Sequence, residues 1–163
     1  MNFSINTNCF TINSVSLMDS KKNIIMDGLF TKINYLSEWF TMNGIFLNIP
    51  IEAKKIFVDD KCGINFDPYA IMNLPIIKVF TKIENDLLDY YCHSKQKNFK
   101  KNVMLSKQLY NGNLKLNVDN NVNETFTKDK KILIKISGIW ETNDGIGITY
   151  KLFEGNSVIN CLK

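Results

Sequence analysis

The chain contains no arginine: all 20 of its basic residues are lysine. It therefore lacks the planar fork by which a guanidinium grips guanine or a phosphate through two parallel hydrogen bonds. Lysine still neutralises phosphates as a point charge, so a nucleic-acid binder of this composition is expected to be salt-sensitive and tolerant of sequence. Histidine occurs once, and none of the 4 cysteines (Cys9, Cys62, Cys92, Cys161) forms a CxxC pair. Cys92-His93 with Cys62 upstream is a poor zinc pattern, and core cysteines beside an exposed histidine account for it better. No basic segment followed by an apolar run opens the sequence, and no apolar stretch is long enough to span a bilayer. Reduced thiols, an intracellular setting and no membrane partner are the expectations. The P-loop, GxGxxG, GxSxG and HExxH patterns are all missing, so neither catalysis nor a cofactor is expected. A metal-dependent nuclease would rely on Asp59, Asp60, Asp67 and Glu84, which have no supporting histidine and no regular spacing.

What the chain does have is alternation. From Lys130 to Phe153, Ile132, Ile134, Ile136 and Trp140 occupy alternate positions, and Ile146, Ile148, Tyr150 and Leu152 do so again. Thr142-Asn143-Asp144-Gly145 lies between them with residues that tolerate positive φ, so the segment predicts a β-hairpin. Gly138 and Gly147 fall inside the two strands, where glycine serves a bend, a bulge or a close approach. Upstream, near-alternation predicts a long strand over residues 2–18, a second over Phe30–Tyr35 and a third over Trp39–Ile49 with a bulge or tight turn at Asn43-Gly44. Ile56–Val58 is a further short strand candidate, and Asp59–Gly63 has the composition of a loop. Ile76, Phe80, Ile83, Leu87 and Tyr91 recur at helical spacing, with Ile77, Leu88 and Tyr90 beside them. They predict one helix beginning near Pro75 and ending between Tyr91 and Lys97. Val103–Leu109 and Leu114–Val118 flank Tyr110-Asn111-Gly112-Asn113 and predict a second hairpin. Asp119–Lys131 is polar and reads as a loop, and the residues after Phe153 as a tail.

The fold class expected is mainly β: a small closed or partly open barrel with one central helix, forming a single domain over 1–163. The oligonucleotide/oligosaccharide-binding (OB) barrel has a helix in that middle position, and an open sandwich is the alternative.

Charge is unevenly distributed. The formal net charge is +4, and between Lys95 and Lys115 there are six lysines and no acid. Lys95, Lys97, Phe99, Lys100, Lys101, Lys107, Tyr110 and Lys115 interleave cations with rings, the combination that tracks a single strand's phosphates and stacks on its bases. A solvated basic loop beside core tyrosines is the plainer account of the same residues. Tyr91 belongs to the helix's apolar face, whereas Phe99 lies among charges and is the better stacking candidate. Lys135, Lys151 and Phe153 lie on the less apolar faces of the last hairpin. Trp140 shares the parity of Ile132 to Ile136, which points to the core, with a ring laid beside glycine as the alternative. Of Trp39 and Phe40, at least one is expected to be buried.

Ile136-Ser137-Gly138-Ile139-Trp140-Glu141-Thr142 followed by Gly145–Leu152, together with Phe40–Phe46, resembles stretches of small single-stranded-DNA-binding proteins. These occur in nucleocytoplasmic large DNA viruses, related phage and yeast cytoplasmic linear plasmids. The resemblance implies an OB barrel that coats single-stranded DNA during replication in the host cytoplasm, with replication proteins and further copies of itself as candidate partners. Within the matched stretch it singles out Trp140, Tyr150 and Lys151. Phage-type members end in an acidic tail that recruits partners; this sequence ends Asn160-Cys161-Leu162-Lys163, so recruitment by that route is not implied. The competing expectation is a structural or adaptor subunit, of a virion or transcription complex, that binds protein partners through its sheet.

Overall fold

The computed structural model describes residues 4–58, 61–117 and 131–155. Elements run in the order β1 (Val15–Leu17), β2 (Lys21–Lys22), β3 (Leu29–Leu36), β4 (Thr41–Met42), β5 (Ile45–Asn48), β6 (Lys54–Val58), β7 (Lys61–Asn65), α1 (Asn73–Lys95), α2 (Met104–Tyr110), β8 (Asn113–Lys115), β9 (Lys131–Thr142) and β10 (Gly145–Gly155). The protein is mainly β, with antiparallel sheets and one main helix.

β9 and β10 form the predicted hairpin, closed by the two-residue loop Asn143-Asp144 between the paired Thr142 and Gly145. Gly145 has φ +148°, and a Cβ there would lie 2.3 Å from the Lys100 carbonyl oxygen. The other edge of β9 is shared: its second half pairs with β3 through Leu29–Lys32, and its first half with β5 through Ile45–Asn48. β3 then curls away, and Ile33–Tyr35 pairs with β1. Among the described residues β1 and β10 are the ends of this path, so the large sheet does not close on itself. A second antiparallel sheet has the order β6-β7-β8. It is tied to the first where the Asn117 amide donates to the Leu152 carbonyl at 2.7 Å.

α1 covers the predicted helix, starting two residues before Pro75 and ending at Lys95, inside the expected range. Its buried side chains Ile77, Phe80, Ile83, Leu87, Leu88 and Tyr91 recur at three- and four-residue steps, giving one wide apolar face. That face packs into a single cluster with Ile33, Tyr35, Ile45, Leu47, Ile136, Ile139, Ile148 and Leu152 from the large sheet and Ile64 and Leu114 from the small one. Gln96, with φ 51°, turns the chain out of α1 and back toward the last hairpin.

Four local expectations are corrected. Residues 2–18 are not one long strand, since only Val15–Leu17 is extended and paired in the part described. Thr7–Cys9 and Ile12–Ser14 are 3₁₀ turns, because the Asn6 side chain accepts the Asn8 amide and the Thr11 hydroxyl accepts the Asn13 amide. Such side chains offer the backbone a partner other than a neighbouring strand. Lys61–Asn65 is not a loop but the central strand of the small sheet, with Cys62 and Ile64 buried. Val103–Leu109 is not the arm of a hairpin: Met104–Tyr110 is helical, with Leu105 and Leu109 fully buried one turn apart. The partner that selects helix is distant in sequence. The Glu84 carboxylate of α1 is wholly buried and accepts from the Leu105 amide (3.0 Å), the Ser106 amide (2.8 Å) and the Ser106 hydroxyl. It satisfies the free N–H groups that open α2. Finally, Cys9 is disulfide-bonded while Cys62 and Cys92 are free thiols, so the expectation of reduced cysteines fails at Cys9.

The readings of Asp59, Asp60, residues 119–130, the tail beyond Gly155 and Cys161 lie outside the described residues. Among the described residues no helix is long and apolar enough to cross a membrane.

Glu84→Ala should leave three buried donors without an acceptor and cost about 3–5 kcal/mol in urea unfolding. Ser106→Ala, which removes one of those donors together with its need, should cost about 1 kcal/mol.

Candidate nucleic-acid interface

The hairpin contains one residue too many on one side. Ile136 pairs with Tyr150 and Gly138 with Thr149, so Ser137 is a bulge. Cross-strand partners share a face of a sheet. Before the bulge the core face takes Ile134 and Ile136; after it, Ile139. Trp140 is thereby moved to the opposite face, against the parity count that assigned it to the core, and it is half-buried there. The bulge flips the alternation within a strand whose composition does not announce it.

Register then places a set of residues on that outer face. One row across the sheet is Phe30, Trp140 and Gly147; the next is Lys32, Gly138 and Thr149. Beyond the bulge come Phe46, Lys135 and Lys151, then Asn48, Leu133 and Phe153. Phe30, Phe46, Trp140 and Phe153 are half-buried, Lys135 is half-buried, and Lys32 and Lys151 are exposed. The two strand glycines explain how the rings lie. A Cβ on Gly147 would fall 2.5 Å from Trp140 Cζ2, and one on Gly138 would fall 2.5 Å from Phe30 Cζ. Each ring therefore overlies a glycine of the neighbouring strand. The Lys135 ammonium lies 5.1 Å from the centre of the Phe46 ring, which meets Phe153 edge-on at 6.2 Å.

The helices pack on the other face. The Tyr91 hydroxyl, which shares a 3.3 Å hydrogen bond with the Thr31 hydroxyl, donates to Glu141 Oε2 at 2.7 Å, and the Tyr150 hydroxyl donates to Gln108 Oε1 at 2.7 Å. Tyr150 thus lies on the helix side, away from Trp140 and Lys151. Burial pushes its phenol up to about 12, with the Glu84 carboxylate adding to the effect. Burial likewise raises Tyr91, opposed by Thr31 and reinforced by Glu141, and burial raises the Cys62 thiol.

The basic segment after α1 has a different position. Lys101 and Ile146 form a β-bridge, with the Ile146 amide donating to the Lys100 carbonyl (2.9 Å) and the Asn102 amide to the Ile146 carbonyl (2.7 Å). The segment therefore runs along the outer edge of β10 at the hairpin end. Phe99 is half-buried, 5.9 Å from Tyr91, with the Lys97 ammonium 4.6 Å from its ring centre. Lys101 pairs with Asp89, and Lys95 donates to Ser20 at 2.8 Å. Lys107 lies on α2, Tyr110 meets Tyr69 at the end of α2, and Lys115 is on β8; none is on the outer face.

The structure thus brings together Lys135, Trp140 and Lys151 on one surface and Lys97, Phe99 and Lys100 at its edge. It adds Phe30, Lys32 and Phe46, which sequence reasoning did not single out; the available signal was the alternation of Phe30-Thr31-Lys32-Ile33, whose outward residues are a ring and a cation. Trp39 and Phe40 are both exposed, against the expectation of burial for one of them, in a turn where both amides donate to the Ser37 hydroxyl. Of the acids weighed for a metal site, Glu84 is the buried cap of α2 and Asp67 accepts the Tyr69 amide. No protein family, no functionally described protein and no solved structure matches the chain.

The Tyr150 phenol titrates higher in the folded chain than in the unfolded one, so the fold favours its neutral form. That contribution is fully present below about pH 10 and is lost as pH rises toward about 12. Urea midpoints should fall over that window, and Tyr150→Phe should flatten the fall without altering the midpoint's pH dependence below it.

Proposed function

We propose that the chain is a non-enzymatic, sequence-tolerant single-stranded-nucleic-acid-binding protein, DNA favoured, built on a partly open OB-like barrel. The observation that carries this reading is the outer face of the large sheet, where Phe30, Phe46, Trp140 and Phe153 share a surface with Lys32, Lys135 and Lys151. Rings laid over glycines leave their outer sides to stack on unpaired bases of any identity, and the lysines between them meet the phosphates. From Gly147 to Phe153 the strand covers roughly 20 Å at ~3.3 Å per residue, the length of a few nucleotides. The basic edge formed by Lys97 and Lys100, beside a Lys101 that is paired with Asp89, extends the positive surface past the hairpin. A role in replication of a virus or virus-like element rests on the sequence resemblance alone.

A second reading, an adaptor that binds protein, is favoured by a different observation. Ile24, Ile25 and Ile71 are at least 90% exposed, and Tyr69 and Met72 lie beside Ile71 in the chain, also exposed. Apolar surface of that kind marks contact sites.

Oligo-dT binding should be micromolar or tighter at low salt. With three lysines on the face, its logarithmic salt slope should be about −2. Lys32→Glu, Lys135→Glu and Lys151→Glu combined should weaken it at least tenfold, and Phe153→Ala alone should cost about 1–3 kcal/mol. Lys107→Glu with Lys115→Glu should change affinity far less. Equal losses in both charge variants, or no binding by the unaltered chain, would reject the sheet face in favour of the protein-docking reading.

A further inference from the structure

At the hairpin end, residues 27–29, 97–100 and 141–145 line a solvent-open cleft of about 400 Å³. Its size falls in the range of small-ligand sites. Two glycines let these segments approach this closely. A Cβ on Gly28 (φ +149°) would fall 2.0 Å from the Glu141 carbonyl oxygen, and one on Gly145 would meet Lys100. No side chain other than hydrogen fits at either position.

The lining is chemically divided. Lys97 and Lys100 contribute two ammonium groups, and Asp27, Asp144 and Glu141 three carboxylates. Glu141 already accepts the Tyr91 hydroxyl. None of the other four charged groups is in an ion pair among the described residues. Asn98 and Asn143 add amides that donate and accept, and Phe99 supplies an apolar wall. Unpaired charges of both signs around one cleft suit a ligand that carries an anion at one end and hydrogen-bond donors at the other. A simple anion would meet the carboxylates, and a simple cation would meet the lysines.

We infer that this cleft takes one nucleoside monophosphate unit, its phosphate held by Lys97 and Lys100 and its base read by Asp27 and Asp144. A carboxylate only accepts hydrogen bonds, so it favours bases with an exocyclic amino group, guanine, adenine and cytosine, over thymine. The unit has two sources: a free nucleotide, or the last residue of a strand lying on the sheet. The second deepens the function proposed above and rests on it; the first does not.

The test is an amide NMR titration of the full chain with 5′-AMP, 5′-CMP and 5′-TMP, beside oligo-dT with and without one terminal dA. For a free-nucleotide site, AMP and CMP shift the amides of Gly28, Asn98 and Gly145, and TMP binds at least about fivefold more weakly. Asp27→Asn with Asp144→Asn abolishes that difference while the phosphate is still bound. Lys97→Gln with Lys100→Gln weakens all three nucleotides to the level of adenosine. For a strand-end site, mononucleotides bind too weakly to detect, but the terminal dA tightens oligo-dT binding and shifts the same amides. Absence of both responses overturns the inference, and so does saturation that ignores base identity. Intact oligo-dT binding alongside either result leaves the sheet face standing, and its loss alongside nucleotide binding removes the sheet face alone.

Discussion

One extra residue in β9 decides what the two sides of the large sheet are for. Without a bulge at Ser137, strict alternation would carry Trp140 into the core behind Ile132, Ile134 and Ile136 and would turn Ile139 outward. With it, Ile139 joins Ile136 beneath the helices, and Trp140 comes to lie over Gly147 on the side that carries Lys135 and Lys151. The same strand thus serves the core along its whole length and still presents an aromatic ring outward near its end. Gly138 and Gly147 are the local condition, because a methyl group at either would occupy the space of a ring.

The core face depends on a second constraint, the burial of polar groups with their partners. Glu84 reaches from the middle of α1 to the start of α2, and Tyr91 reaches from its last turns to Thr31 and Glu141. These contacts fix α2 and the hairpin against α1 more specifically than apolar packing alone, since each buried donor or acceptor has a definite mate. They also set where the basic segment goes. Leaving α1 at Gln96, the chain has only a few residues before Lys100 and Asn102 bond along the edge of β10.

Much of this was legible in the sequence where the pattern was long and local. The final hairpin and its turn, the extent of α1, and the outward position of Lys135, Lys151 and Phe153 all follow from periodicity and turn residues. The rest depended on distant partners. Val103–Leu109 alternates well enough for a strand, and what makes it helical is a carboxylate about twenty residues upstream. Lys61–Asn65 looks like loop because it follows two aspartates, yet it pairs on both sides. The candidate surface divides in the same way. The lysine run after α1 was conspicuous as a string, but Lys107 and Lys115 diverge from it in space, whereas Phe30, Lys32 and Phe46 join Trp140 only through the pairing of β3 and β5 with β9.

The claim that the outer sheet face stacks unpaired bases bears most directly on Trp140. Trp39 is 80% exposed in the turn between β3 and β4, so Trp39→Phe leaves Trp140 as the single indole reporter with little effect on the fold. Fluorescence of that variant should be quenched saturably on titration with oligo-dT and recover as salt is added. Emission that stays constant while oligo-dT demonstrably binds would contradict the account, because the strand would then lie somewhere other than over Trp140.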